Sequence, residues 1–433
     1  MTRAEPDPLP PTLFLVVDAI PFDVAEEVWR AGDMPGFAAP RPMVSVFPGL
    51  THVAVPALLA GAFPARPPGY EVRYLHPPSG EIRGGFGVPG AEEAMRPFRV
   101  RPDGVIGHGA IYPLPSRASW AQIRWITHRY RAEGGPWLGY LWASDAVGHF
   151  EGRERLLASL SDVCRQVQRA RTEVAERDGV EPEVVLASDH GMAFGPLVHL
   201  SAEMLAAHLG VFGFSEDAVG MDHIRLVPFG DVSAGVVYCD PTRAAPVAEA
   251  VATAPGVRLA FSATADGFQV WRTRGRIERA RMERATLGAT AHWRYQGELG
   301  DPLDLGELWS QISDTAGWAE DEVVLNRTAT HTFPDALHRV WQGLTSLVQW
   351  PAPVLFSLDE GYTYGPAWSH AGAALLGGQV GTHGALDRAA SLGFAAATHP
   401  GDPWAGRAIL RPGHVFAPWR DLLRAGGEPA RRS

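Results

Sequence analysis

The chain has 433 residues, of which 46% are hydrophobic and 20% are charged, and its formal net charge is −10. This composition is typical of a globular protein with about two or three domains. The acidic balance argues against a nucleic-acid polymer as a partner. It is compatible with a small phosphorylated substrate, because bound dications reverse the local field. The two cysteines, Cys164 and Cys239, form no C-x-x-C pattern, and we expect both to be buried free thiols.

The first eleven residues contain acidic residues and four prolines, where a secretory signal would have an apolar segment. No apolar run approaches the ~18 residues that a membrane-spanning helix needs. These features predict a cytoplasmic protein that does not associate with a membrane.

Short apolar runs alternate with helical patterns through the first half of the chain. The first run has the β-branched bias of a buried strand and ends at Asp18. The pattern predicts strands at 13–17, 42–47, 137–142 and 184–187, and helices at 23–31, 52–60, 120–132 and 153–177. Residues 69–115 are rich in Gly, Pro and Arg, and we expect loops and short strands there. The alternation predicts an α/β fold with a doubly wound, mostly parallel sheet flanked by helices.

The second half of the chain has a different texture. Residues 277–284 are charged, and we predict a solvated helix for them. The other predicted elements are strands at 232–238, 257–261, 268–272, 354–357 and 392–398, and helices at 244–252 and 334–347. We take the strand at 354–357 as a core strand. The chain then divides into a core of 12–200 and 350–400, a small cap-like α+β insert with its return helix at 201–349, and a C-terminal extension at 401–433.

Polar residues that suit a metal or a nucleophile follow several of these strands and loops. They are Asp18, Thr51, Asp145, His149, Asp189, His190 and His383. Ligands of open α/β sheets bind beyond the carboxyl ends of the strands, and mixed Asp/His ligation suits zinc. Asp145 and His149 are four residues apart, so one helical turn places them on the same side.

Each of these residues also has an ordinary structural interpretation. Asp18 is a plausible helix cap, Thr51 an N-cap hydroxyl, and Asp189 with His190 a capping and turn cluster. His149 would fit a hydrogen-bonded core histidine, and His383 a turn residue between glycines. Their joint occurrence at one edge of one predicted sheet favours a functional cluster.

The ordered set of motifs resembles the alkaline phosphatase superfamily, and within it the type I phosphodiesterase/nucleotide pyrophosphatase-like branch. The resemblance covers the chain from residue 12 to about 400. It is carried by Asp18 after the first strand, F-P-G-L-T at 47–51 with G-A-F-P at 61–64, D-x-x-G-H at 145–149, S-D-H-G-M at 188–192 and G-T-H-G at 381–384.

The resemblance implies an alkaline phosphatase-like fold and two divalent metal ions, with zinc as the expected metal and iron or manganese as open alternatives. One ion would be held by Asp145, His149 and His383. The other would be held by Asp18, Asp189 and His190, with Thr51 reaching the same ion as the nucleophile. The implied reaction is hydrolysis of a phosphate ester, a diester rather than a monoester, through a phosphothreonine intermediate.

One position departs from the family pattern. The nucleotide pyrophosphatase branch usually has an Asn three residues after the nucleophilic Thr, and here that position is Ala54. Loss of such a donor to a phosphate oxygen costs on the order of 10²-fold in rate. His52, Arg73, His108 and Arg117 are candidate replacements, and nucleotide specificity is not carried over to this chain.

Several alternatives stay open beside the phosphodiesterase interpretation. A phosphomonoesterase, a phosphonate hydrolase or a phosphomutase would use the same fold, although mutase relatives normally carry Ser where this chain has Thr51. A non-catalytic relative that binds metal or phosphate is a further alternative, and the complete predicted ligand set argues against it. A sulfatase lacks support because no C/S-x-P-x-R motif occupies the nucleophile position, and a dehydrogenase because no G-x-G-x-x-G follows the first strand. The physiological substrate and the oligomeric state are left open.

Overall fold

The computed structural model describes residues 10–85, 95–100, 111–218 and 220–427. Its helices are α1 Phe22–Arg30, α2 Thr51–Leu59, α3 Pro115–Glu133, α4 Ala143–Asp178, α5 Ala202–Val211, α6 Ala244–Ala252, α7 Gly306–Ile312, α8 Asp321–Arg327, α9 Ala336–Thr345, α10 Ala367–Leu375, α11 Arg388–Ser391, α12 Pro412–Val415 and α13 Arg420–Gly427.

The strands form two large sheets and three small two-stranded ones. They are β1 Thr12–Val17, β2 Arg41–Val44, β3 Arg73–His76, β4 Glu81–Gly84, β5 Trp137–Leu141, β6 Glu183–Ala187, β7 Ala193–Phe194, β8 Val198–Ser201, β9 Ile224–Leu226, β10 Ala234–Cys239, β11 Val257–Ala263, β12 Gly267–Thr273, β13 Ile277–Leu287, β14 Thr290–Leu299, β15 Trp318–Glu320, β16 Val354–Leu358, β17 Tyr362–Gly365, β18 Gly381–Thr382 and β19 Leu392–Ala397.

The central sheet has the strand order β2-β19-β6-β1-β5. Strand β1 pairs in parallel with β5 and β6, while β19 pairs antiparallel with both of its neighbours, so four of the five strands run in the same direction. Every residue of β1 and β5 is buried, as expected for strands covered on both faces. The predicted α/β fold with a mostly parallel central sheet is confirmed.

Helix α4 contains a break that separates its first turns from the rest. Gly152 has φ 82° and ψ −172°, which is outside the helical region, so the long helix predicted at 153–177 is preceded by a separate helical segment. That segment begins directly after β5 and carries Asp145 and His149. The break therefore lets these two residues stay at the end of the sheet while the long helix packs along its face.

The second sheet is larger than the small insert that the sequence predicts. It has eight strands in the order β15-β14-β13-β12-β11-β16-β10-β9, and each pair in it is antiparallel. The predicted helix at 277–284 is wrong, because these residues lie in β13. Ala280 and Met282 alternate into the core with a period of two, and Glu283 lies opposite Arg294 of β14.

The assignment of 354–357 to the core sheet is also wrong. Strand β16 lies in the second sheet, between β10 and β11. All five of its residues are buried, and a short apolar run carries no information about which of two sheets buries it. The remaining division of the chain into a core, an insert and a C-terminal extension stays a prediction.

Two further expectations concern the thiols and the membrane. Cys164 is a buried free thiol as expected, whereas Cys239 is a free thiol that is only half-buried. Among the helices in the described ranges, none is long and apolar enough to cross a membrane.

Candidate metal centre and active site

Seven polar residues from five separate parts of the chain meet beyond the ends of the central strands. Asp18 follows β1, and Asp189 and His190 follow β6. Asp145 and His149 lie in the first turns of α4, Thr51 begins α2, and His383 follows β18. The structure thus brings together the complete set that the sequence predicts: Asp18, Thr51, Asp145, His149, Asp189, His190 and His383.

The first group of possible ligands contains Asp145, His149 and His383. Asp145 Oδ1 lies 3.2 Å from His149 Nε2 and 3.6 Å from His383 Nε2. Despite these short distances, Asp145 Oδ1 is buried and accepts no hydrogen bond from the described residues. One carboxylate oxygen and two imidazole nitrogens therefore face a common point, as in a three-ligand metal site.

The second group contains Asp18, Asp189 and His190, all of them buried. His190 Nε2 lies 3.3 Å from Asp189 Oδ2 and 3.6 Å from Asp18 Oδ1. Asp189 Oδ2 is buried without a hydrogen-bond partner in the described parts of the chain. Stacking of the His190 and His383 rings, with centroids 4.0 Å apart, joins this group to the first.

Thr51 lies against the second group. Its hydroxyl donates to Asp18 Oδ1 at 3.3 Å and lies 3.1 Å from His190 Nε2. Leu50 is the N-cap residue of α2, and no side chain caps this helix. The N-cap interpretation of Thr51 is therefore wrong, and its hydroxyl faces the buried carboxylates instead. The cap position of α1 is Pro21, so Asp18 does not cap that helix either.

The three histidines share one hydrogen-bonding arrangement. Each Nδ1 lies at hydrogen-bond distance from a backbone carbonyl: 2.7 Å for His149 to Gly381, 3.0 Å for His190 to Gly191 and 2.9 Å for His383 to Gly49. A carbonyl only accepts, so Nδ1 carries the proton in each ring and Nε2 is left for a metal. Such backbone partners are the usual means of orienting metal-ligating histidines.

The charges of the site favour added cations. Burial, together with the nearby charges of Asp189 and Asp145, raises the pKa of Asp18 well above its usual value, and burial raises that of Asp189 to about 6. Burial lowers the pKa of His190 to about 4 and that of His383 to about 3, so both imidazoles are neutral. Buried carboxylates beside neutral imidazoles lack a compensating positive charge, which two dications would supply.

Asp145 and His149 behave differently from the other ligands. Burial alone would raise the pKa of Asp145, but the charge and contact of His149 outweigh it and hold this pKa well below its usual range. Burial opposes protonation of His149, yet Asp145 raises its pKa. The pair of side chains therefore favours a positive charge between them, which a proton provides in the absence of metal. A bound metal ion would provide this charge in place of the proton. The chemistry of both donor sets fits two divalent metal ions.

Glycines permit the close approach of the segments that carry the ligands. A Cβ atom on Gly191 would lie 2.5 Å from the carbonyl oxygen of Ala389, and one on Gly381 would lie 2.6 Å from that of Gly148. Both distances are shorter than real Cβ contacts. The glycines of the D-H-G and G-T-H-G motifs thus have a packing reason that is independent of the ligands beside them.

Three residues that position the ligands are absent from the sequence-based set. Tyr140 of β5 donates to Asp18 Oδ2, and Ser144 donates to the Asp18 carbonyl at 2.7 Å. Ser188 donates to the His190 carbonyl at 2.7 Å and accepts from the Ile20 amide at 2.8 Å. A tyrosine inside a buried strand was the available signal for Tyr140, because its hydroxyl needs a partner there.

The position three residues after Thr51, where the family usually has Asn, supplies no hydrogen-bond donor for the phosphate. Ala54 is fully buried and packs in an apolar cluster of the second sheet. Of the four proposed replacements, Arg117 is exposed on α3, and Arg73 lines a cavity that also contacts Leu50. His108 lies outside the described residues. His52 follows Thr51 directly, and burial lowers its pKa to about 4, so it is a neutral donor or acceptor.

Tyr112 is a further polar group near the site that the sequence interpretation missed. Burial raises the pKa of its hydroxyl, and the charges of Asp145 and Asp18 raise it further, so the hydroxyl lies within electrostatic reach of both carboxylates. Its ring packs edge-on against Phe150, with centroids 5.6 Å apart. A protonated tyrosine hydroxyl is a donor of the kind that Ala54 lacks. Residue 112 lies in a loop region without periodicity, so no sequence signal pointed to it.

Comparisons with known proteins gave structural matches only. No family model and no curated protein matches the chain. Human ectonucleotide pyrophosphatase/phosphodiesterase 5 aligns over 98% of this chain and 97% of its own, with 12% identity and a TM-score of 0.49. The murine protein in complex with AMP has 11% identity and a TM-score of 0.46 over the same shares. Phosphonoacetate hydrolase from Sinorhizobium meliloti, in complex with phosphonoformate, has 15% identity and a TM-score of 0.45, again over 98% and 97%.

The names of these neighbours describe those proteins and not this chain. The first two carry the name of the nucleotide pyrophosphatase/phosphodiesterase branch, and the third is a phosphonate hydrolase. The resemblance of this chain to the alkaline phosphatase superfamily rests on its own ordered motifs. At these identities and TM-scores the matches say nothing of the substrate, and the functional assignment rests on the residues of this chain.

Proposed function

We propose that this protein is a metal-dependent phosphodiesterase that uses Thr51 as its nucleophile, on a doubly wound, alkaline phosphatase-like core. The observation that supports the proposal most directly is the position of the Thr51 hydroxyl. It lies 3.3 Å from Asp18 Oδ1 and 3.1 Å from His190 Nε2, at the start of a helix and beside two groups of metal-type ligands. The substrate is a small phosphorylated molecule.

The proposed ligands divide between the two ions as the two groups do. Asp145, His149 and His383 hold one ion, and Asp18, Asp189 and His190 hold the other. Bound zinc-class ions lower the pKa of a coordinated hydroxyl or water and stabilise the charge of the phosphate and its leaving oxygen. Three protein ligands for each ion leave positions open for the substrate.

The residues of the chain account for the remaining parts of the reaction. The Thr51 Oγ1 atom attacks phosphorus, and its proton is lost to solvent, because Asp18 Oδ1, which accepts it in this structure, would hold the ion. The bond from phosphorus to the leaving oxygen breaks, this oxygen takes up a proton from water to become the alcohol, and the phosphoryl group is left on Thr51. A water then cleaves the phosphothreonine and restores the hydroxyl. The N-terminus of α2 carries a partial positive charge, which favours the negative charge of the phosphate.

The electrostatics of the site favour a diester over a monoester. A bound diester carries one negative charge less than a monoester dianion. The chain contains no lysine. In the described ranges, the side chains at ion-pair distance from Asp18, Asp145 and Asp189 are histidines and not arginines. Within the described ranges, the second charge of a monoester would therefore meet no arginine held by these three carboxylates.

A direct assay distinguishes the candidate functions. The zinc-loaded protein should hydrolyse bis-p-nitrophenyl phosphate with a higher kcat/KM than p-nitrophenyl phosphate. The reverse order would identify a monoesterase. Failure to hydrolyse either ester or phosphonoacetate, with two metal ions bound, would identify a non-catalytic binding protein. Cleavage of phosphonoacetate but of neither ester would identify a phosphonate hydrolase.

Each ligand group is expected to hold one ion independently of the other. Asp18→Asn and Asp145→Asn should each lower the bound metal by about one ion per chain. Each should lower kcat/KM by about 10²-fold or more, because an ion contributes several kcal/mol to transition-state stabilisation. Metal analysis of dialysed protein measures the first effect. Asp23→Asn is the matched control, since Asp23 is an exposed partner of Arg153 away from the site. Full metal content in both site variants would refute the ligand assignment.

Tyr112→Phe tests whether the Tyr112 hydroxyl takes the place of the family's Asn donor, which is missing at Ala54. We expect kcat/KM on the diester to fall by about 10- to 100-fold, since one donor to a phosphoryl oxygen is lost. Metal content should stay unchanged, because the tyrosine is not a ligand. Tyr74→Phe on β3 serves as the control for loss of a tyrosine hydroxyl elsewhere. Unchanged kinetics of the Tyr112 variant would exclude it as the donor.

A further inference from the structure

A third cluster of metal-type side chains lies outside the site described above. It consists of His199 on β8, Asp231 in the connection between β9 and β10, and His370 on α10. Each residue offers one ligand atom, and the three atoms lie within 4.8 Å of one another. The three residues come from remote parts of the chain, so the tertiary fold alone brings them together.

The two imidazoles and the carboxylate are arranged around a common point. His199 Nδ1 lies 3.6 Å from Asp231 Oδ1. The His199 and His370 rings are stacked, with centroids 4.2 Å apart and planes 9° from parallel. One nitrogen of each histidine and one oxygen of Asp231 lie within 4.8 Å of one another, which is close enough for the three residues to reach the same ion.

Asp231 is the main reason to expect a ligand here. Its side chain is 1% exposed, and neither carboxylate oxygen accepts a hydrogen bond from the described parts of the chain. The Ser369 hydroxyl lies near the carboxylate and lowers its pKa, but its geometry falls short of a hydrogen bond. Unsatisfied buried polar atoms are costly, and an ion would satisfy them.

An ordinary ion pair accounts poorly for this cluster. A pair would need a hydrogen bond between the imidazole and the carboxylate, but His199 Nδ1 lies 3.6 Å from Asp231 Oδ1, and neither carboxylate oxygen accepts a hydrogen bond from the described residues. Gly365 adjoins the carboxylate so closely that a Cβ atom there would lie 2.1 Å from Asp231 Oδ1. The carboxylate is therefore held in place by close packing while its charge has no hydrogen-bonding partner.

We propose that His199, Asp231 and His370 bind a third divalent metal ion. Two imidazole nitrogens and one carboxylate oxygen suit zinc and similar transition metals. Calcium and magnesium prefer sites made of oxygen ligands. The site differs from the two catalytic groups in every residue, so the proposal does not depend on the proposed function.

The expected role of this ion is structural. Ala373 is the only buried residue of α10, so apolar packing holds this helix weakly, and a bond through His370 would anchor it. Ser233, two residues after Asp231, donates from its amide and its hydroxyl to the His383 carbonyl, both at 2.7 Å. An ion on Asp231 thus steadies the segment that holds the backbone of His383.

Metal counting tests the third site. After loading with zinc and removal of free metal, the unaltered protein should retain about three ions per chain, and His370→Gln about two. His370 is exposed on its helix, so this substitution should not prevent folding. His128→Gln, an exposed histidine on α3 outside the three clusters, should still retain about three. Equal metal content in the unaltered and His370→Gln proteins would overturn the proposal.

Variants without the two catalytic metal sites test the third site independently of the proposed function. The variant that combines Asp18→Asn with Asp145→Asn should keep about one ion, and addition of His370→Gln should remove it. With cobalt as the probe, visible absorption bands should appear in the first variant and be absent in the second. Zinc should also slow hydrogen exchange in residues 367–375 of the first variant alone. Loss of the bands with the Asp18 and Asp145 changes alone would assign all bound metal to the catalytic groups and refute a third site.

Discussion

Thr51→Ala should lower kcat on bis-p-nitrophenyl phosphate by on the order of 10⁴-fold or more, as loss of a nucleophile does in other hydrolases. The hydroxyl is the only reactive group that α2 presents to Asp18 Oδ1 and His190 Nε2, and alanine cannot form the covalent intermediate. Metal content should change little, because three protein ligands remain for that ion. Steady-state kinetics and metal analysis on the same samples measure both effects.

Thr51→Ser is the matched control for this prediction. Serine keeps the hydroxyl and the helix start, so it should retain activity well above that of the alanine variant. Rapid acid quenching with a slowly released diester should trap a phosphoryl group on residue 51 of the unaltered protein, detectable by mass spectrometry. An alanine variant with undiminished activity would instead indicate direct attack by water.

Arg411→Met should lower the free energy of unfolding by about 3–5 kcal/mol, because it leaves a buried carboxylate without its charge partner. Arg411 binds both oxygens of Asp335, at 2.7 Å and 2.8 Å, and it also contacts Asp321. The Asp335 side chain is 0% exposed. This contact ties the C-terminal segment to α8 and to the start of α9, at the boundary between the two large sheets. Urea denaturation followed by tryptophan fluorescence measures the loss.

Arg424→Met is the matched control, since Arg424 pairs with the exposed Asp421 at 3.6 Å. It should cost less than about 1 kcal/mol, as surface ion pairs do. Combining Arg411→Met with Asp335→Asn should recover part of the loss, because no unpaired charge then remains at that position. If Arg411→Met costs no more than Arg424→Met, the buried cluster does not contribute to stability.

Local sequence patterns were sufficient for the parts of the fold that are determined by neighbouring residues. The apolar run before Asp18 and the one before Asp189 are strands of the central sheet, at adjacent positions and in parallel. Parallel strands place their carboxyl ends at one edge, so the motifs that follow them had to lie close together. The spacing of Asp145 and His149 required only one helical turn.

Two predictions from composition were wrong, because the pairing of distant strands decided the structure of these segments. Residues 277–284 carry enough charge to suggest a solvated helix, but their charges pair across strands, as Glu283 does with Arg294. The run at 354–357 is apolar, and an apolar strand can be buried in either of the two large sheets. Its place in the second sheet depends on pairing with β10 and β11, which come more than 90 residues earlier in the chain.

The alternation of strands and helices in the sequence determined the α/β class, and the polar residues that follow these strands and loops brought forward the seven residues of the candidate site. Only the tertiary structure decided which groups support them and what else the fold brings together. Tyr140, Tyr112 and the cluster of His199, Asp231 and His370 share no local pattern, since their contacts join distant segments. Such contacts depend on the three-dimensional packing of both sheets. The periodicity of a sequence, two residues in a strand or 3.6 in a helix, does not predict them.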